Sequence, residues 1–279
     1  MAVESFREAI RLLTRLPVLW VPGIVAGVVT AGLWLMLNFS GAFFTGRLVL
    51  PAGLITFLFL VGMLVIIRED SGDLRALVRG GIDYYFRVIL PMLVILFMLM
   101  LVFVLLIVTF GLTGMTPDPG FIGLLAVCVM IPTLMLTFFF DMAAVFEDKK
   151  VFESIQRSSI LVSGNVMGVL AFYVVSALAC FTITFGLMMV WEIALYERLA
   201  PLAEYNQTQI QAFTFDQLAG MIGPDGIWVT AVVLFLGALI LVPLITAYKA
   251  CFFRKLAGST PAERQMTGEY DSKGRWYKY

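Results

Sequence analysis

Apolar residues in this chain run together instead of alternating with polar ones. Six stretches, at about Leu16–Asn38, Leu48–Ile67, Val88–Leu112, Phe121–Phe140, Val166–Trp191 and Ile227–Tyr248, contain no Asp, Glu, Lys or Arg. Each reaches the roughly 20 residues that an α-helix needs to cross a hydrocarbon core of about 30 Å. A charge at the centre of such a helix costs about 2.5–3.5 kcal/mol on insertion scales, so six clean windows predict six membrane spans. Transmembrane strands alternate apolar with polar positions, and runs such as Leu93–Val108 do not. Helices satisfy their own backbone hydrogen bonds in lipid, which makes a helical bundle the expected form. A signal-peptide core is about 7–15 residues, so the longer first stretch reads as a retained span.

Between the spans a different period sets in. Ser5-Phe-Arg-Glu8 has the form of a capping box, and Phe6, Ala9, Ile10 and Leu13 follow at helical spacing. Arg7, Arg11 and Arg15 form a separate stripe, as in a helix lying at the membrane interface with its arginines near lipid phosphate. Asp73 is placed to cap a second such helix carrying Leu74, Leu77 and Val78 on one face and Arg75 and Arg79 on another. Phe152, Ile155 and Arg157 repeat the pattern before the fifth span. The pairs Phe6/Arg11, Leu74/Arg79 and Phe152/Arg157 share one spacing, which suggests a threefold unit of one interfacial helix and two spans. The segment from Glu192 to Asp225 is too apolar for a bare linker. Thr208-x-x-Gln211 and Thr214-x-x-Gln217 in it look like helix starts. The expected fold is therefore all-α: residues 1–257 form a six-span membrane domain with three cytoplasmic interfacial helices, and 258–279 form a mobile tail.

Charge adds direction to this picture. Seventeen of the nineteen Lys and Arg residues lie on one side of the six spans, leaving Arg47 and Arg198 on the other. The positive-inside rule then places both termini in the cytoplasm of a multi-pass cell-membrane protein. Composition agrees: 61% of residues are hydrophobic and 14% charged, against about 25% charged in soluble domains. The net charge of zero offers nothing to nucleic acid. Cys128, Cys180 and Cys251 are scattered in or beside spans and read as small core residues. The chain has no histidine, which removes the commonest general base and metal ligand, and no cofactor is implied.

Few side chains stand out chemically. Asp141 lies over one turn inside an apolar helix if the fourth span continues to Phe146, and an ionisable group there is a candidate site that needs a partner. Arg157 or Lys249 is placed to supply one. The plainer reading is an interfacial carboxylate that reaches water or a backbone N–H. Asp141, Arg157 and Asn165 make up the candidate intramembrane polar site. Gly23-x-x-x-Gly27 permits close helix approach, within the monomer before any dimer. Pro132 and Pro243 lie deep enough to kink their spans. Asn206-Gln-Thr208 is a glycosylation sequon on the predicted outer side.

The stretch from Val145 to Asn165, with its Glu147-Asp-Lys149 turn, Ser158 and Asn165 ahead of the fifth span, resembles a segment of prokaryotic six-span proteins of unknown function. Those are similar to the membrane domain that precedes the catalytic part of some glycerophosphodiester phosphodiesterases. Phe6-Arg-Glu-Ala-Ile-Arg11 and Pro17-Val-Leu-Trp20 resemble the archaeal branch. The resemblance implies a six-helix membrane fold and no phosphodiesterase, since no catalytic domain is present. The reading that follows is a non-enzymatic component that organises the membrane or accompanies a membrane complex, its partners being lipids and another membrane protein. A permease or lipid-handling transporter with a site between helical hairpins is the alternative.

Overall fold

The computed structural model describes residues 1–113, 118–206, 214–259, 268–270 and 276–278. The chain is all-α, and six of its helical stretches are long and apolar enough to cross a membrane. These are Pro17–Ser40, Ala42–Glu69, Leu74–Phe110, Gly120–Phe146, Val166–Ala194 and Gln217–Gly258. All six overlap the spans read from the sequence. They run on past the apolar windows, because a helix does not need to stop where the lipid does.

Helix α1 (Ala2–Arg15) is followed by a 3-10 turn at Pro17–Trp20 and by α2 (Val21–Ser40). Then come α3 (Ala42–Glu69), α4 (Leu74–Thr113), α5 (Pro119–Thr137), α6 (Phe140–Phe146) and α7 (Val151–Gly164). After α8 (Val166–Ala194), α9 (Tyr196–Leu199) and a 3-10 turn at Ala200–Glu204, the long α10 covers Phe215–Ser259. Two three-residue strands, β1 (Gly268–Tyr270) and β2 (Trp276–Lys278), pair antiparallel in the tail, with Glu269 opposite Tyr277. The rest of the tail beyond Ser259, expected to be mobile, lies outside the described residues.

Close approach of backbones sets the bundle. A Cβ on Gly23 would stand 2.5 Å from the Leu239 carbonyl oxygen, and one on Gly27 2.7 Å from the Phe235 ring. The small pair therefore seats α2 on α10 within the monomer, and Pro243 packs its ring into the space beside Gly23. A second seam was not read from the sequence. A Cβ on Gly62 would run into the Leu77 carbonyl oxygen, and one on Gly81 would stand 2.6 Å from that of Leu58. Here α3 and α4 cross, main chain against main chain.

The interfacial helices differ from expectation. The first begins at Ala2, not after a cap at Ser5: its N-terminal ammonium pairs with Glu4 at 3.3 Å, and Ser5 is fully buried inside the helix. Ala2, Ser5, Ala9 and Leu13 turn inward onto α10, where Phe6 meets Tyr248 edge to face at 5.2 Å. Protein, and not only lipid, covers the apolar face. The second is the amino-terminal turns of α4. Asp73 caps it by accepting from the Arg75 N–H at 3.0 Å, but nothing breaks the helix before the membrane. In the third, Glu153 reaches back to the Lys150 N–H at 3.2 Å. It buries Ser154, Ser158, Leu161 and Val162 and leaves Phe152 exposed. Leu74 and Phe152 are both exposed while Phe6 packs on Tyr248, and Arg11 and Arg79 are exposed while Arg157 is paired.

At the other end, Gly223 interrupts α10 with φ of 65°, a conformation that favours glycine. Arg198 donates to the freed Ile222 carbonyl at 3.2 Å and pairs with Asp225 at 3.1 Å. The Thr214/Gln217 box forms as read: Gln217 accepts from the Thr214 N–H at 2.9 Å, and Thr214 from the Gln217 N–H at 3.4 Å. Thr208-x-x-Gln211 lies outside the described residues.

Candidate functional site

The end of the bundle that holds the α6–α7 turn is built from carboxylates that each tie two or more elements together. Asp148 sits in the α6–α7 turn with φ of 52°. Asp and Asn tolerate this left-handed region better than most residues. The turn aims its carboxylate at α3 and α4. Arg68 donates to it through both terminal nitrogens, at 2.6 and 3.2 Å, and also to the Val145 carbonyl at 2.7 Å. Tyr84 donates its hydroxyl at 2.6 Å, and Arg87 adds a third donor at 3.0 Å. Hydrogen bonds from Arg68 and then Tyr84 hold the Asp148 carboxyl below the ordinary carboxylate value, outweighing its partial burial. One residue earlier, Glu147 takes Arg157 in a two-pronged pair with contacts of 2.9–3.1 Å. The side chains of Arg157 and Glu147 keep only 12% and 22% of their exposure, so this pair is far less screened than a surface one.

Asp141, the principal candidate from the sequence, pairs with Lys249 and not with Arg157. The Lys249 amine lies 2.7 Å from one carboxylate oxygen and the Met142 N–H lies 2.9 Å from the other. The pair is 14% and 20% exposed, and the amine also stands 4.2 Å from the centre of the Phe138 ring. Asn165 joins neither pair. It marks the bend between α7 and α8, and its side chain makes no hydrogen bond among the described residues. The three residues read as one polar site therefore belong to three separate arrangements.

Beside Asp141 the fourth span is broken at Phe138–Phe139. A break in apolar surroundings leaves backbone groups that must find partners. Ser158, fully buried on α7, supplies both: its hydroxyl donates to the Leu136 carbonyl at 2.8 Å and accepts from the Phe139 N–H at 2.9 Å. Sequence reasoning assigned Ser158 no such role. Glu147, Asp148 and Ser158 were marked in the sequence only through a resemblance, without these roles, and the Gly80-Gly81 doublet with Tyr84 one turn on was the signal missed.

Above this joint lies a cleft of about 520 Å³. Met92, Ile95, Leu96 and Leu99 of α4 form one wall, Leu134 and Thr137 of α5 another, and Tyr173 of α8 faces them. Lys249 and Phe138 lie at its end nearest the Asp141 pair. Its lining is overwhelmingly apolar, it is open at the surface, and its volume is that of an ordinary small-molecule site. The cleft exists because α5 leans mainly on α7 and hardly touches α4 along the membrane. Only 6% of the apolar stretch of the third or fourth span is buried within the protein, against 39% of the second.

Of the arginines read as lipid contacts, Arg7, Arg11, Arg75 and Arg79 are exposed, Arg79 facing Asp83 at 3.8 Å, while Arg15 is tied to Asp70. Asn206 is exposed, and Gln207 and Thr208 of its sequon lie outside the described residues. The three cysteines are free thiols, and Cys251 alone is buried.

Residues 1–256 match the family model described as Domain of unknown function (DUF7847). No curated protein matches the chain. No solved structure matches it either.

Proposed function

The chain belongs to this family of unknown function, and from its site we propose that it is a non-enzymatic membrane component that seats a lipid chain between its second and third helical hairpins. The observation that carries the reading is the apolar cleft between α4, α5, α8 and α10. In a bilayer, an apolar cleft open at the surface faces acyl chains at very high concentration, so a lipid tail is its natural occupant. The walls rise along α4 from Met92 to Leu99, about 10 Å of helix, within one leaflet of a core about 30 Å thick. Lys249 at the cytoplasmic-side end places a cation near the level of lipid headgroups.

The carboxylates at this end support a role without catalysis. Asp141, Glu147 and Asp148 are each held by a cation, and Asp148 is a weaker proton acceptor than a free carboxylate. They act as struts. Orientation with both termini in the cytoplasm of the cell membrane belongs to the same proposal and rests on the seventeen-to-two charge split. So does the likeness to the membrane domain found ahead of some glycerophosphodiester phosphodiesterases, since an accessory domain that holds lipid suits an enzyme working at the bilayer. A permease for polar solutes is less well supported, because the cleft has no polar path along its walls.

The test is photo-crosslinking with a phospholipid carrying a diazirine in its acyl chain, on the full chain in nanodiscs. Label is expected at Met92–Leu99 and Leu134–Thr137 about tenfold above that at Phe181 and Phe185, a margin of about 1.4 kcal/mol. Leu99→Trp, which fills the cleft, is expected to abolish the excess. Equal labelling of cleft and outer face would sink the proposal.

A further inference from the structure

The opposite side of α10 carries a second cavity, of about 320 Å³, at the seam where α1 lies against α10 and the end of α3. It is lined by Glu8, Arg11, Leu12, Arg15, Asp70, Cys251 and Arg254. Lys249 of the cleft and Cys251 of this cavity are two positions apart, about 200° around the helix, so the two sites do not share a wall.

Its charges are not balanced. Glu8 is taken by Lys255 at 3.1 Å and Asp70 by Arg15. Arg11 has no hydrogen bond or ion pair from its side chain among the described residues. Arg254 donates to the Ile67 carbonyl, where α3 ends, and lies 5.3 Å from the Phe146 ring, but among the described residues it has no carboxylate partner. Two guanidinium groups without a counter-ion therefore face one pocket with an apolar floor of Leu12 and Cys251. Guanidinium binds phosphate through parallel N–H···O bonds, and a site with two of them matches a doubly charged oxyanion. The pocket lies where the sixth span leaves the apolar zone, at the depth of lipid phosphates.

We propose that this seam binds a doubly charged phosphate group through Arg11 and Arg254, with α1 as the wall that closes the site against α10. The ligand is the terminal phosphate of an anionic lipid or a free phosphate, which share this chemistry. The site is independent of the acyl-chain cleft.

The experiment uses the full chain in mixed micelles of phosphatidylcholine with phosphatidic acid, read by native mass spectrometry. Wild type is expected to retain phosphatidic acid over phosphatidylcholine, and Arg11→Gln to lower that retention about tenfold, the worth of one charge-assisted bond. Arg11→Gln breaks no side-chain hydrogen bond or ion pair among the described residues, so lost binding is not lost structure. Arg7→Gln removes the same charge from the neighbouring turn outside the cavity and is expected to leave retention within a factor of about two. If inorganic phosphate displaces the lipid or binds by itself, free phosphate is the ligand; if it does neither while the lipid binds, the lipid is. No preference for either anion, or equal losses in Arg7→Gln and Arg11→Gln, would overturn the proposal. A filled acyl-chain cleft in Leu99→Trp should leave this binding unchanged.

Discussion

Asp148 works by geometry more than by burial. Its side chain keeps 44% of its exposure, yet it collects donors from Arg68, Tyr84 and Arg87 because a left-handed turn points it back at two helices. Its pKa is lower in the folded chain than in the unfolded one. The unfolded chain therefore takes up a proton first as pH falls. The stability that this group contributes is complete above the ordinary carboxylate value of 3.8 and drains away as pH drops through its depressed value. Thermal unfolding in detergent should show an acid-side fall in midpoint below about pH 4 that Asp148→Asn lessens. At neutral pH the same variant should cost about 1 kcal/mol, reduced from a fully buried case by the water that reaches the carboxylate. An unchanged acid profile in Asp148→Asn would remove the residue from this role. Asp141 illustrates how far the residues can be read alone. Its need for a partner followed from an ionisable group in an apolar run, and Lys249 was one of two cations at hand. Choosing between Lys249 and Arg157 needed the fold, because Glu147 had already taken Arg157.

Among the elements, two crossings fix the bundle, and they were not equally legible. The α2–α10 crossing shows in the sequence as Gly23-x-x-x-Gly27, a known signature of close approach. The α3–α4 crossing uses Gly62 from one helix and Gly80-Gly81 from the other, with no motif within either. At Gly62 a side chain would meet backbone, which cannot turn aside as a side chain can. Gly62→Val is therefore expected to destabilise by at least about 1–3 kcal/mol, the usual cost of overpacking. Gly53, on the same helix, has open space for 4 Å around the point where a Cβ would stand, and Gly53→Val should stay within about 0.5 kcal/mol. Melting of the two variants in one detergent checks this, and equal midpoints would contradict the crossing. The break between α5 and α6 was hidden for another reason. Pro132 pointed to a kink, but the helix parts six residues later, where Ser158 of a different element takes over its hydrogen bonds.

The whole molecule has a tight end, where the carboxylates are paired, and a loose apolar portion. Ion pairs bind α1, α3, α4, α6, α7 and α10 to one another at that end, while α4 and α5 diverge through the lipid zone. The cleft lined by α4, α5, α8 and α10 opens where they part. An even number of crossings, as six such helices allow, puts both termini on one side. A split fluorescent tag complemented from the cytoplasm should light up at either end of the chain and stay dark when inserted beside Asn206; the reverse pattern would invert the charge-based orientation.

Number and helical character of the spans were determined by the sequence itself, because burying apolar runs in lipid is a local cost that each segment meets alone. Capping at Asp73 and Thr214 was equally local, since donor and acceptor lie within one turn. Everything that depends on which helix stands beside which was decided only in three dimensions. The inward face of α1, the partner of Asp141, the keystone at Asp148, the plug at Ser158 and both cavities each join residues far apart in the chain. Their worth comes from geometry between helices, to which a run of hydrophobic residues is indifferent.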